Sequence, residues 1–477
     1  MADFSQSQPQ TQSQPIRQFF RELVPATDTL LWYFGGLVLF FFGVMLLSGI
    51  LMLFHYQPSA TAATASDGTP LLLARITDTT TWLGVEYLPG QLVPVRADSS
   101  GGNADFPTPL RSAAEVVRDS ATGRPVHPSA AWVSIEHVVM RQTEFGLLVR
   151  SVHAWGAQLL VASLLIWFGG LAWQGAWRKP NSAVWSSGLL LILLVLASAW
   201  TGSVLPWDRL GYAAAWVGSS LPEQGIPVVG EPLAQAMRGG KEVGGGALTR
   251  MAAAHTALLP IALVLVLIFH ASWWRRGVVS GNRGYDPSKP FSAAAVLAAG
   301  CGLLLVIYPF IASPFNPASP FFLLPLLLLP VCAAQLLNRL AGGAVVSVAS
   351  SQASSDGLYR QLVCWLLVAG ALLTLAIAAP WTRGEGGFPI DLTQAQLAAT
   401  QLRPEWYLLG FYQLLEWCSA SVAMAFLLSV LLFLSLLPLA DRPASAAKGR
   451  GAIRWMVYAL FLLFLFLTLW GYMEIGG

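Results

Sequence analysis

Apolar runs close to or longer than the roughly 20 residues needed to cross bilayer hydrocarbon recur along almost the whole chain. In hydrocarbon a backbone N–H or C=O has no water to bond, so runs of this length satisfy themselves as helices. Nine spans are predicted, at 29–54, 147–175, 184–205, 249–274, 291–312, 319–340, 358–380, 417–440 and 452–473. Charged residues make up only 11% of the 477 positions and hydrophobic ones 55%, whereas about a quarter of a soluble domain is charged. The expected fold is therefore all-α, a polytopic transmembrane bundle in a lipid membrane, with no separate soluble catalytic domain.

The basic residues set an orientation. Arg17 and Arg21 precede the first predicted span, Arg178 and Lys179 follow the second, and Arg275, Arg276, Arg283 and Lys289 follow the fourth. With nine crossings these fall on one side, as do Arg442, Lys448, Arg450 and Arg454, which places the N-terminus inside and the C-terminus outside. The net charge of +3 is too small to imply a nucleic-acid partner. Residues 1–28 form an N-terminal tail, and the outer loop of 56–146 is long enough to hold a folded insertion at 56–130, with strand-like stretches such as Leu71–Ile76. Two further outer loops are expected at 206–246 and 381–416. Cys301, Cys332, Cys364 and Cys418 lie scattered in apolar segments with no CxxC or CxxCH spacing, which argues against zinc and covalent haem.

Chemistry in such a chain concentrates on its few intramembrane polar groups. Three of the six histidines, His153, His255 and His270, fall in predicted spans. A lone one could serve as an interhelical hydrogen bond. His153 and His255, however, start spans that run in the same direction and so lie at matching depth, as two axial ligands of a b-type haem must. His270 lies about 22 Å deeper, at the level of a second site. Gly35 and Gly49 on the first span, and Gly188 and Gly202 on the third, are each fourteen residues apart. Fourteen residues make nearly four helical turns, so each pair shares a helix face and lets a flat macrocycle approach at two depths.

These residues stand in motifs that resemble those of the cytochrome b subunit of cytochrome bc-type complexes, the quinol:cytochrome c oxidoreductases. Arg150-Ser-Val-His153-Ala-Trp-Gly156-Ala is similar to the start of that family's second helix. Gly202-Ser-Val-Leu-Pro-Trp207 is similar to the end of its third, and Leu248 to Pro260 around His255 to the opening of its fourth. Pro404-Glu405-Trp406-Tyr407 looks like its quinol-site tetrapeptide. The resemblance implies a haem-binding four-helix core over 29–275, two extra membrane helices within 276–357, and quinol-site helices over 358–477. It implies that His153 and His255 ligate an outer haem b and that Arg150 pairs with a propionate. Glu405 and Tyr407 would act on quinol, within a substrate site formed by Pro404, Glu405, Trp406 and Tyr407. It further implies a Rieske-type iron–sulfur protein, a cytochrome c-type subunit and quinone as partners. The setting would be a multisubunit assembly, with a dimer among the arrangements the resemblance allows, in a bacterial inner or other energy-transducing membrane.

The fifteen-residue separation of His255 and His270, with Pro260 between them, is closer to the chloroplast-type branch. The chain departs from the family at the insertion, at the two extra helices and at Ser203, where an aromatic residue is common. The largest departure is at the inner site. By family spacing its second ligand falls at position 167, which is Trp, and an indole offers no lone pair to a metal. One bis-histidine haem is thus expected. The inner pocket is expected to hold either a five-coordinate haem on His270 or no haem, and the sequence does not rank the two. A cytochrome b-like scaffold without turnover and a haem-bearing membrane anchor for a dehydrogenase stand as alternative readings.

Overall fold

The computed structural model describes residues 30–279, 325–328, 353–440 and 449–473, apart from 83–84, 100–102, 120–121, 180, 384–386 and 390–401. The expected helical bundle forms, with seven helices long and apolar enough to cross a membrane among the described residues. The predicted spans at 291–312 and 319–340 lie outside the described residues except for one helical turn at 325–328.

Four helices make the core. α1 is Leu30–Leu53, α2 Gly146–Gln174 and α3 Ser182–Val204. α6 runs as Gly245–Ala253, a π-helical stretch Ala254–Leu258 and then Leu259–Val279. α1 lies along α2 and α3 along α6. Tyr33, Phe34 and Leu37 of α1, Leu159 and Leu160 of α2, and Trp185 of α3 share one buried core. The π turn has a local cause: Pro260 has no N–H to give the carbonyl four residues back, so the hydrogen-bond ladder widens just before it. α7, Ala353–Ala378, docks on α1 and α2. Tryptophan N–H groups tie the bundle together, from Trp365 to the Gly36 carbonyl at 3.1 Å, from Trp155 to that of Ala379 at 2.8 Å and from Trp185 to that of Leu434 at 2.9 Å.

Between α1 and α2 the chain builds a small β unit. β1, Leu71–Ile76, pairs antiparallel with β4, Leu92–Arg96, and with β5, Ala114–Val116, while β2, Thr80–Trp82, and β3, Val85–Tyr87, form a separate hairpin. As the central strand, β1 is covered on both faces: Leu72, Ala74 and Ile76 enter one apolar cluster, and Leu73 enters another with Val126 and Trp132.

Two stretches read as outer loops are partly helical. Residues 206–246 carry α4, Arg209–Gly225, and α5, Gly230–Arg238. Asp208 starts α4 by accepting the Gly211 N–H at 2.7 Å. The corner before it is formed by Trp207, fully buried with φ of 51°, an uncommon conformation for a residue with a side chain. In the other, 381–416, α8 begins and runs one residue beyond it, as Trp406–Trp417. Pro404 disfavours helical geometry in Arg403, and Glu405 takes an extended ψ of 152° as the cap, so the helix opens beyond it. α9, Ala420–Leu436, follows a break at Cys418, and α10, Gly449–Met473, packs against α8.

Candidate functional site

His153 projects from α2 and His255 from the π turn of α6, a helical distortion often found where function needs an aimed side chain. Their rings face each other with centroids 6.3 Å apart and planes at 71°. In each ring one nitrogen is already engaged. Nδ1 of His153 meets the Ser48 hydroxyl at 2.9 Å, and Nδ1 of His255 meets the Ser198 carbonyl at 2.9 Å and the Thr201 hydroxyl at 3.4 Å. Partners of this kind fix tautomer and ring orientation in metal-binding histidines, leaving Nε2 to coordinate.

The glycines stand against these rings. A Cβ on Gly202 would lie 2.6 Å from Cε1 of His255, and one on Gly49 would lie 3.4 Å from Cε1 of His153. Gly202 is therefore obligatory for the His255 position, whereas Gly49 permits ordinary contact.

One cavity of about 320 Å³ joins both histidines, Gly49 and Gly202 to Arg150, Gln158, Arg383, Glu405 and Tyr407. The spacing of the imidazoles suits a haem. An imidazole–metal bond is about 2 Å and the ring centre lies about 1 Å behind its nitrogen, so two rings sharing one metal stand about 6 Å apart. Two imidazoles bind metal firmly when a macrocycle supplies the other donors. Arg150 adds a buried cation whose Nε has no hydrogen-bond partner among the described residues, which fits a propionate.

At the other end of the cavity, Glu405 occupies the cap position of α8 and accepts a hydrogen bond from Gln158 Nε2 at 3.0 Å. Burial pushes its carboxyl above the usual carboxylate range, against the pull of Arg383, Gln158 and Arg150. Burial and the neighbouring Glu405 hold the Tyr407 phenol well above its ordinary value. Burial likewise raises Glu136, opposed first by Arg150. Trp406 packs edge-on to Tyr407 with centroids 5.6 Å apart, and Pro404 lies just ahead of the cap.

The inner end of the bundle is built differently. Gly35, Gly188 and His270 come together there, but around Trp167. A Cβ on Gly35 would lie 3.2 Å from the indole Nε1, and one on Gly188 would lie 3.2 Å from its Cζ3. The indole thus reaches from one helix's glycine to the other's. Its ring is 5.0 Å from that of His270, which Trp274 stacks against at 6.3 Å. His270 and Trp167 are both buried. Nδ1 of His270 meets the Ser187 hydroxyl at 2.8 Å.

Sequence reasoning missed two features. Three of the four glycines follow a hydroxyl residue that reaches a histidine Nδ1, as Ser48-Gly49, Ser187-Gly188 and Thr201-Gly202, while Phe34 precedes Gly35. That pattern was readable. The second is the buried ion pair of Arg383 and Asp208, at 3.0 Å, which nothing local announces.

Comparison with known proteins identifies the scaffold. The family described as Cytochrome b/b6/petB matches residues 125–276, and Cytochrome b(C-terminal)/b6/petD matches residues 395–476. Cytochrome b6 of Desmonostoc sp. is 36% identical over 151 residues, covering 32% of this chain and 69% of that protein. Cytochrome b6 of Cyanidium caldarium is 37% identical over the same length. A solved structure described as a hyperthermophilic respiratory Complex III shares the fold at a TM-score of 0.55 and 19% identity, over 96% of this chain and 89% of that one. With its paired histidines, its glycines, family matches over 125–276 and 395–476 and relatives more than a third identical, the chain belongs to the cytochrome b family.

Proposed function

We propose that this chain is the haem b-carrying, quinol-oxidising membrane subunit of a cytochrome bc-type complex. The observation that carries this is the single cavity on which the His153–His255 pair, Arg150, Glu405 and Tyr407 all open. Family membership makes the chain an electron-transfer subunit and implies haem b.

His153 and His255 would hold haem b, which would supply a one-electron acceptor, and a Rieske-type iron–sulfur partner is proposed to take the second electron. Glu405 receives a proton from the quinol hydroxyl, a role that suits a carboxyl that burial raises above its ordinary range. Gln158 orients that carboxylate through its hydrogen bond to Oε2. Arg150 would anchor a propionate, and Trp381, braced edge-on by Trp155 at 4.8 Å, helps wall the site. The Tyr407 phenol stays protonated and offers a donor to a quinone oxygen. A cytochrome c-type subunit would accept the high-potential electron. Protons would leave on the outer side of a bacterial energy-transducing membrane, with the N-terminus inside. A haem-bearing anchor for a dehydrogenase would have no use for Glu405 on this cavity.

Glu405→Gln in the assembled complex tests the reading. Haem content and spectrum should stay intact while quinol oxidation slows by about 10²-fold or more. Unchanged turnover with quinol limiting would overturn it.

A further inference from the structure

Arg383 follows α7 in the outer segment, 175 positions from the carboxylate it binds. Its Nη1 donates to Asp208 Oδ1 at 3.0 Å and Oδ2 at 3.1 Å, and to the Ser203 carbonyl at 3.0 Å. The Arg383 side chain is 7% exposed and that of Asp208 0%. Asp208 is itself fixed, because Oδ1 also caps α4. The guanidinium is not used up by these bonds: its Nε is buried with no hydrogen-bond partner among the described residues, and the side chain lines the cavity of Glu405.

A purely structural ion pair would be an expensive way to hold the segment in place, since buried pairs seldom stabilise more than apolar residues of the same size. The attachment is already made by other bonds. The Arg209 N–H reaches the Phe388 carbonyl at 2.9 Å, and the Trp132 indole N–H reaches that of Gly387 at 2.9 Å. Asp208 and Pro389 form a β-bridge as well.

We propose that Arg383, held by Asp208, is a positioning residue that keeps the Glu405 carboxylate ionised in a largely apolar cavity, so that it is ready to accept the quinol proton. The proposal rests on the quinol-oxidising role given to Glu405. Of the groups around Glu405, Arg383 is the strongest that opposes its burial, ahead of Gln158 and Arg150, while Asp208 acts the other way. Tyr407 shares the wall, as do His153 and His255, and Glu136 faces both arginines. Arg403 is turned away, donating to the Gly471 carbonyl at 2.9 Å. The Arg383 guanidinium itself stays charged: burial opposes this, and Asp208, Glu405 and Glu136 outweigh burial.

The test is the pH profile of quinol oxidation in the assembled complex. A proton acceptor works when deprotonated, so activity rises with pH through the pKa of Glu405. Removing the cation in Arg383→Gln should move that rising limb to higher pH by about one unit or more. Activity should recover at alkaline pH, with haem content and midpoint potential unchanged. Arg383→Lys, which keeps the charge, should restore most of the position of the limb. Arg383→Gln in a Glu405→Gln background should produce no shift. A uniform loss at every pH with the limb unmoved would make Arg383 structural only. A moved haem potential with an unmoved limb would assign it to the haem instead. Either result overturns the proposal while leaving Glu405 in place. If Glu405→Gln alone kept wild-type turnover and pH profile, the failure would lie in the role of Glu405.

Discussion

The outer and inner ends of the same four-helix bundle present one backbone plan with two outcomes. At each level α1 and α3 contribute a glycine, and α2 and α6 contribute an aromatic ring. At the outer level the rings are imidazoles 6.3 Å apart that open on a cavity. At the inner level an indole stands 5.0 Å from the imidazole and touches both glycine positions. The glycines therefore report that a ring must pass close to the helix, not what the ring binds. Ligation needs more: a lone pair aimed across the gap, and a hydroxyl or carbonyl behind the ring to hold it there. The outer level has both on each side. The inner level has them only at His270, backed by Ser187, because Phe34 and Trp167 replace hydroxyl and ligand together.

The largest effects expected are at the outer pair. His153→Ala or His255→Ala should abolish the low-spin haem spectrum, because each removes one of two axial ligands. Trp167→Ala should leave that spectrum intact and act on stability instead, costing about 3–5 kcal/mol as a buried aromatic is lost. Thermal unfolding followed beside the reduced-minus-oxidised spectrum separates the two kinds of damage. An unchanged low-spin spectrum in both histidine variants would break the comparison at its outer end.

Next in size is conversion of one level into the other. Trp167→His combined with Phe34→Ser supplies both the ligand and the hydroxyl behind it, and it should add a second low-spin haem, counted by the pyridine haemochrome. Trp167→His alone should add less, since its ring would have no partner at position 34. Two bis-histidine haems already present per wild-type chain would refute the contrast between the levels.

This contrast was only half legible in the sequence. His153, His255 and the fourteen-residue glycine spacing located both levels, because helical period and depth are local properties. Whether Trp167 fills the inner pocket or leaves it open depends on how Gly35 and Gly188 converge from separate helices, which no single segment encodes. α1, α2 and α3 were read from hydropathy, whereas α4 and α5 were not, since short helices rich in Gly and Pro carry no span-length apolar run. β1 showed its Leu-rich strand, but β2, β3 and β5 are only three residues each. Arg383 was hidden for the plainest reason, being paired with a residue 175 positions away.

The smallest effect is the sharpest discriminator, because it concerns a single hydroxyl at each level. Ser48→Ala removes the group that meets His153 Nδ1 at 2.9 Å, and Ser187→Ala removes the group that meets His270 Nδ1 at 2.8 Å. The two substitutions are chemically identical, and both sit one residue before a glycine in a membrane helix. If only the outer level holds haem through paired imidazoles, Ser48→Ala should weaken haem retention by about 10–100-fold, the usual scale for loss of a partner behind a metal ligand. It should also shift the midpoint potential, since hydrogen bonding behind an axial ligand tunes the iron. Ser187→Ala should move neither quantity. Redox titration and haem release to an apo-acceptor protein, run on both variants, measure this directly. Equal shifts in the two would mean that His270 ligates haem as His153 does, and the inner level would then be a second haem site despite its indole.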